Sequence, residues 1–127
     1  MRRVFRTRSF SKWMKKAGVT DNALCGAVSE MVQGLIDADL GGGILKKRIA
    51  IFGRGKRGGA RTIVATRMTD RWFFLYGFEK NEKSNIDKDE LKALQELAKQ
   101  YLEFSAMEID QAIEDELFSE ICNGDKT

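Results

Sequence analysis

Three apolar runs follow one another in the middle of the sequence, at residues 44–52, 61–67 and 71–78, and only short polar or glycine-rich stretches separate them. Each run is rich in β-branched and aromatic residues, which favour strands. Strands joined by connections shorter than about a dozen residues run antiparallel, because a parallel pair needs a longer crossover. The pattern therefore predicts a three-stranded meander, around which the rest of the chain must be arranged.

Helical patterns precede this meander. A short strand at residues 4–7 leads into a helix that we expect to begin at Ser9 and to end at Gly18. A second helix is expected to start with Thr20 or Asp21 as its cap, and the glycine triplet at residues 41–43 is expected to end it.

Two further helices are predicted after the meander. Asp87 with Glu90, and Ser105 with Glu108, each place an acidic residue three positions after a capping residue, which is typical of a helix start. The resulting order, β-α-α-β-β-β-α-α, indicates the α+β class: a small antiparallel sheet packed against the N-terminal helices, with extra helices at the C-terminus. We expect helices to cover one face of the sheet and to leave the other face available.

The chain length fits one domain spanning residues 1–127, in which residues 105–127 form an acidic helical extension ending in a polar tail at 123–127. Cys25 and Cys122 are predicted to form no disulfide framework and no metal-ligand cluster, and the sequence contains no histidine. No stretch approaches the roughly 18 apolar residues of a membrane span. We therefore expect a cytoplasmic protein in a reducing compartment, with no membrane contact, no metal and no cofactor.

Charge is divided unevenly along the chain, although the net charge is only +3. Residues 1–16 carry seven basic and no acidic residues, and residues 44–67 carry eight basic and none acidic. From residue 87 onward, twelve acidic residues accompany only four lysines. Unopposed cations on one side of a domain attract polyanions through counterion release. The sequence thus favours one-sided contact with a polyanion; the alternative is that these charges serve solubility alone.

The stretch GRGKRG at residues 53–58 satisfies the G-x-G-x-x-G spacing of dinucleotide-binding turns. In that motif a helix follows the glycines and aims its N-terminal amides at the pyrophosphate. Here a β-branched run without helical period follows, so a dinucleotide enzyme is the most distant interpretation. The cations at residues 53–61 still suit a phosphate, and they are Arg54, Lys56, Arg57 and Arg61.

Cations and aromatic rings concentrate around the meander, and together they are the ingredients of single-stranded RNA binding. Phe74, Tyr76 and Phe78 alternate onto one face of the last strand, although core positions would explain these rings as well. Lys80 follows the same strand. Arg61 begins a strand after two glycines, where its planar fork suits a phosphate unless an acidic neighbour pairs with it. Because histidine is absent, the common pairs of nucleophile and base are missing.

A resemblance to a known family rests on these same stretches. The block GRGKRGGARTIVATR, followed by RWFFLYGFEKNEK and then by the DELKALQELA helix, closely resembles the RelE/HigB family of toxins from bacterial type II toxin-antitoxin systems. The G-K-x-G-G-x-R core and the later F-x-K-N-E element are typical of a HigB-like branch. The resemblance, which covers residues 4–102, implies a microbial-RNase-like α+β fold and metal-independent cleavage of mRNA on the ribosome. Cleavage without metal or histidine requires the 2′-OH of the substrate as the nucleophile, with cations stabilising the charge on the phosphate.

Matched residue by residue, the resemblance places Lys56, Arg61 and Lys80 at the basic catalytic positions of the family. Asn81 stands where RelE has an arginine, and the C-terminal tyrosine of RelE has no counterpart near Ile86. The resemblance therefore assigns neither the general base nor the general acid. The residues expected to bind RNA are Arg54, Arg57, Lys47, Tyr76 and Phe78.

A toxin implies a cognate antitoxin, which in this branch commonly carries a helix-turn-helix domain. Operator DNA would then be bound only by the toxin-antitoxin complex. Two other functions remain open. One is a ParE-like inhibitor of DNA gyrase, which shares the fold and cleaves no RNA, and the other is an RNA-binding module without enzymatic activity.

Overall fold

The computed structural model describes residues 2–51, 55–83 and 85–122, and for residues 55–57 it describes the backbone alone. Within these residues, six strands form one sheet in the order β2-β3-β4-β5-β1-β6. Only β1 and β5 pair in parallel among the described strands. The elements are β1 (Arg3–Thr7), α1 (Arg8–Ala17), α2 (Asp21–Val32), β2 (Ala38–Gly41), β3 (Ile44–Ile51), β4 (Gly55–Thr66), β5 (Arg71–Glu79), α3 (Lys88–Leu102), α4 (Ala106–Glu114) and β6 (Phe118–Ile121).

The α+β class and the central meander are confirmed, since β3, β4 and β5 pair antiparallel in sequence order. Contrary to the prediction from the sequence, the glycine triplet does not end α2. Helix α2 ends at Val32, and residues 41–43, all with positive φ, instead connect the short strand β2 to β3. Glycine suits this turn because it adopts positive φ without steric cost.

The helix starts follow local capping chemistry. Both expected capping boxes are present, with Asp87 bonded to Glu90 and Ser105 bonded to Glu108. Thr20 caps α2, and Gly18 ends α1 in the left-handed conformation. The expected Ser9 cap of α1 is wrong, because the hydroxyl of Thr7 accepts the bond from the backbone N–H of Phe10.

The C-terminal region differs from the expected helical extension. Helix α4 ends at Glu114, and Phe118–Ile121 forms the strand β6, which pairs antiparallel with β1. Phe118 and Ile121 are both buried, on opposite faces of the sheet, and this burial holds the segment as a strand. The polar tail at residues 123–127 lies outside the described residues.

The expectation that one sheet face stays available is also wrong. Helices α1 and α2 pack on one face, against a core that includes Trp72 and Phe74. Helices α3 and α4 pack on the other, against a core that includes Phe73 and Leu75. Strand β5 is thus apolar on both sides, which is typical of a strand buried between two layers.

The two cysteines form a disulfide, contrary to the sequence-based expectation. Cys25 on α2 is joined to Cys122, which follows β6, with their Cα atoms 5.6 Å apart. The pairing depends on β6, because this strand carries Cys122 along the sheet to α2. In the described part of the chain, no helix combines the length and the apolar composition that a membrane span requires.

Candidate functional site

A β-bulge in β5 decides which aromatic rings share a face. Ile63 of β4 pairs with Tyr76 while the next residue, Val64, pairs with Phe74, so Leu75 is an extra residue. The bulge breaks the alternation assumed from the sequence. Phe74 points into the core under α1, whereas Tyr76 and Phe78 lie on the α3 face.

Arg61 lies on the α3 face of β4 between two strands. It pairs directly with Arg48 of β3 on one side and with Phe78 of β5 on the other. Its Nη1 atom is buried and makes no hydrogen bond within the described part of the protein. A buried guanidinium nitrogen without an acceptor is costly, and it is a donor that a bound anion would satisfy.

Arg48 adds a second cation beside Arg61. Its side chain is 47% exposed and reaches Asp37 at 3.8 Å. Like charges directly opposite each other on neighbouring strands are destabilising, so an anion between these two guanidinium groups would relieve their repulsion. Lys46, two residues earlier on β3, points to the same face and is half-buried.

Lys80 lies just beyond the end of β5 and is exposed. It lines an open groove of about 460 Å³ together with Gly58, Glu79 and Asn81. The groove joins the end of β5 to the glycine-rich part of β4, where a backbone without side chains permits close approach of a ligand.

Tyr76 is part of a small polar cluster at the start of α3. The ammonium group of Lys83 lies 2.5 and 2.6 Å from the carboxylate oxygens of Glu90, and 3.4 Å from the Tyr76 hydroxyl. The hydrogen bond to Glu90 raises the pKa of Lys83, and the same bond lowers the pKa of Glu90. Lys83 is therefore a fixed positive charge beside the phenol.

Two expected RNA-binding residues lie in the interior. Phe78 is only 2% exposed and packs against the Tyr76 ring at 6.0 Å. Lys47 is buried on the α2 face, where its ammonium donates to the Leu35 carbonyl at 2.8 Å and pairs with Glu30 at 2.7 Å. Neither side chain offers a surface to RNA in this structure.

The structure brings Arg61 and Tyr76 to one face, with Lys80 at its end. Of the other expected residues, Arg54 and the side chains of Lys56 and Arg57 lie outside the described part of the chain. Sequence reasoning missed Arg48 and Lys83. Alternation along β3 could have shown that Arg48 and Lys47 lie on opposite faces of the sheet, because successive side chains of a strand point to opposite faces. No sequence signal distinguishes the half-buried Lys83 from the exposed lysines.

Comparison with known proteins agrees with this architecture. A family model described as the RelE toxin of the RelE / RelB toxin-antitoxin system matches residues 2–121. The chain therefore belongs to the RelE toxin family, as its resemblance to that family predicted. No curated protein matches it significantly. Members of this family are toxins of toxin-antitoxin systems and are generally mRNA endoribonucleases, so a cognate antitoxin is implied.

Proposed function

We propose that this toxin is an mRNA endoribonuclease that acts on the translating ribosome in the cytoplasm and thereby stops translation. Family membership supports the reaction class, and the cationic α3 face of the sheet supports the substrate class. The observation that carries the proposal is Arg61, whose buried Nη1 has no acceptor in the described protein and which lies directly opposite Arg48. A phosphate is the anion that suits a planar guanidinium fork.

The proposed reaction needs no metal. The ribose 2′-OH loses a proton and its oxygen forms a bond to the adjacent phosphorus, while the bond from phosphorus to the 5′-oxygen breaks and that oxygen takes up a proton. Charge accumulates on the non-bridging oxygens of the phosphate as the 2′-oxygen attacks. Arg61 stabilises this charge by donating hydrogen bonds that are already oriented before the reaction.

Proton transfer is assigned to Lys56 or Lys80. A lysine acts as a base only where its surroundings disfavour the ammonium form. Lys83 is excluded from this task, since Glu90 raises its pKa. We propose that Tyr76 instead contacts the RNA, with its hydroxyl held beside Lys83.

Primer extension on a defined mRNA in a reconstituted translation system tests the proposal. Wild-type protein is expected to cut only when ribosomes are present. Arg61→Ala is expected to lower the cleavage rate about 100-fold or more, the usual cost of removing one oriented donor from an anionic transition state. Arg67→Ala is the matched control, because Arg67 is exposed just past the C-terminal end of β4, whereas Arg61 lies in the middle of the strand.

Other outcomes would contradict the proposal. Equal loss of cleavage in both variants would mean that Arg61 has no special role. Absence of cuts with folded wild-type protein would favour the gyrase inhibitor or the non-enzymatic RNA-binding module. Inhibition of DNA supercoiling by purified gyrase would then distinguish those two.

The antitoxin is proposed to be of helix-turn-helix type, with operator DNA bound only by the complex. An electrophoretic mobility shift with operator DNA compares toxin alone, antitoxin alone and the complex. A shift by toxin alone that equals the shift by the complex would contradict this arrangement.

A further inference from the structure

A pocket beside the candidate site lies at the part of β5 that β1 does not cover. Strand β1 pairs with residues 71–74 of β5, so within the described sheet residues 75–79 have a strand neighbour only on the β4 side. Helix α1 packs against β5 at this open edge, and Trp13 lies directly over Gly77. Between the helix and the open edge remains a pocket of about 260 Å³.

The pocket is lined mainly by aromatic and apolar side chains. Phe10, Leu75 and Phe78 line it and are almost fully buried. Trp13 and Tyr76 also line it but are only half-buried, so their rings offer surface to a ligand. The volume lies below the roughly 300–1,000 Å³ of sites for drug-sized ligands, and it therefore suits a single flat ring system.

Gly77 allows Trp13 to line this pocket. A Cβ atom at residue 77 would overlap the indole ring, so any side chain there would push the indole away from β5. The ring of Phe10 contacts the indole from within the helix, with 5.4 Å between the ring centroids. Trp13 is thus oriented before a ligand arrives, and a ring that is already fixed loses little entropy on binding.

Two charged side chains complete the lining. Oε1 of Glu82 accepts a hydrogen bond from the backbone N–H of Glu79 at 2.7 Å, which holds the carboxylate at the pocket. The ammonium of Lys83, held by Glu90, lies 5.6 Å from the centre of the Tyr76 ring. A carboxylate accepts hydrogen bonds from the exocyclic amino groups of adenine, cytosine and guanine, and uracil has no such group.

The pocket adjoins the candidate phosphate site. Phe78, which lines the pocket, lies directly opposite Arg61 on the neighbouring strand. The segment after Phe78 contributes Lys80 to the open groove and Glu82 to the pocket, so a single turn of chain separates the two. Strands are about 4.8 Å apart, which places the open edge of β5 within roughly 10 Å of β4. A nucleotide next to a phosphate at Arg61 can therefore reach the pocket with its base.

We propose that this pocket binds one nucleobase of the mRNA, from a nucleotide that adjoins the scissile phosphate and is turned out of the base stack. Trp13 and Tyr76 stack on the base, as aromatic side chains do with unpaired RNA bases. Glu82 favours bases with an exocyclic amino group over uracil. The inference rests on the proposed function, because it names the residues that select where the mRNA is cut.

Cleavage of an mRNA library in a reconstituted translation system tests the stacking. Trp13→Phe keeps a ring and should cleave within about threefold of the wild-type rate. Trp13→Leu keeps an apolar side chain without a ring and should lower kcat/KM roughly 5- to 150-fold, the effect of losing the stacking of one base. Val28→Ala is the matched control, because it weakens the buried core without lining the pocket. A loss in Val28→Ala as large as in Trp13→Leu would overturn the proposal.

The same library tests the base selection by Glu82. The wild type should cut poorly at sites that place uracil in the pocket. Glu82→Gln keeps an oxygen that accepts from the Glu79 amide and adds an NH₂ donor, so it should raise cleavage at uracil sites, relative to the others, about fivefold or more. An unchanged distribution of cut sites would overturn the selective role of Glu82.

Tryptophan fluorescence measures base binding without cleavage. The chain has two tryptophans and Trp72 is fully buried, so Trp72→Phe leaves Trp13 as the single tryptophan. Tetraribonucleotides with 2′-O-methyl riboses cannot be cut, because the nucleophile is blocked, and they should quench Trp13. Removing the base at one position should weaken binding about fivefold or more and abolish the quenching. The wild type, in which Trp72 adds a constant background, is titrated in parallel. Quenching that survives removal of the base at each position in turn would overturn the proposal.

These measurements separate the inference from the proposed function. Base-dependent quenching by a protein that never cuts mRNA would refute only the nuclease. Cleavage by Trp13→Leu at the wild-type rate and at the wild-type sites would refute only the base pocket. Loss of antitoxin binding by Trp13→Leu, with cleavage unchanged, would overturn the proposal in favour of an apolar antitoxin side chain as the occupant.

Discussion

At the scale of single residues, neighbouring cations on one strand have different environments. Lys46 and Arg48 of β3 point to the α3 face, whereas Lys47 between them points to α2 and is 4% exposed. Its ammonium is held by the Leu35 carbonyl and by Glu30. Lys47 therefore fastens the loop after α2 to the sheet, while its neighbours remain available to a ligand.

Lys47→Met tests this structural role. The variant keeps most of the buried alkyl stem and removes the charge, which leaves the Leu35 carbonyl without its donor. We expect a loss of about 1–3 kcal/mol in the free energy of unfolding. Lys46→Met, on the opposite face, should change stability by less than about 0.5 kcal/mol. Urea unfolding of both variants gives the comparison, and similar losses would show that Lys47 has no special structural role.

Glu90 offers a test with pH. Its carboxylate caps the first turn of α3 and also pairs with Lys83, which lowers its pKa. A lowered pKa contributes stability above the ordinary glutamate value of about 4.3, and that contribution is lost as pH falls through the folded-state value. Glu90→Gln keeps a side-chain acceptor for the cap but removes the charge.

The stability difference between wild type and Glu90→Gln should therefore be present at neutral pH and shrink below about pH 4. Thermal unfolding across that range measures it. Lys83→Met is the partner control, since it should give a loss at neutral pH that also disappears in acid. A difference that persists unchanged in acid would mean that the pair does not produce the effect.

At the scale of elements, features that depend on residues close in sequence could be predicted, whereas features that depend on distant parts of the chain could not. The capping boxes of α3 and α4 were predicted correctly because capping depends on residues three positions apart. Strands β2 and β6, each four residues long, were missed, since so short a strand is defined by its partner. The bulge at Leu75 also escaped prediction, and with it the burial of Phe78. Arg61 could be proposed from its own surroundings in sequence, but Arg48 opposite it depends on strand register.

The disulfide ties two of these elements together. It closes a loop with a sequence separation of 97 residues, from α2 to the end of β6. In the chain-entropy model a loop of this length stabilises the fold by about 4.7 kcal/mol, and measured values are commonly about 2–4 kcal/mol. Removal of the disulfide, by reduction of the wild-type protein or by the double variant Cys25→Ser and Cys122→Ser, should lower the free energy of unfolding by about 2–5 kcal/mol.

Urea unfolding with and without dithiothreitol measures this loss. Reductant should leave the double variant unaffected, which controls for other effects of the reagent. A wild-type protein whose stability is the same in both conditions would show that the two thiols are not joined in solution.

At the scale of the whole molecule, the sheet separates two sets of basic residues. The lysines of α1 lie over one face and have no ion pair among the described residues, and the candidate site lies on the other face, which α3 and the acidic helix α4 cover. The charge division was visible in the sequence, since it needs only composition by segment. The distribution of the basic segments over both sides could not be foreseen, because it depends on which helices cover which face.

The acidic C-terminal region is an integral part of the sheet and of the α3-side core. Ile109, Ala112 and Phe118 are buried in the α3-side core, and β6 supplies the outer neighbour of β1. Arg3 of β1 also pairs with Glu120 of β6 at 2.9 Å.

Deleting residues 105–127 should therefore abolish cooperative unfolding. The deletion exposes Phe5 and Phe73, and it removes both the strand that pairs with β1 and the cysteine that pairs with Cys25. Deleting residues 123–127 keeps every one of these contacts and is the matched control. Thermal melts of both deletion variants, followed by circular dichroism, test this prediction. A sigmoidal melt of the variant lacking residues 105–127, with a midpoint near that of the wild type, would show that the C-terminal region is dispensable for the fold.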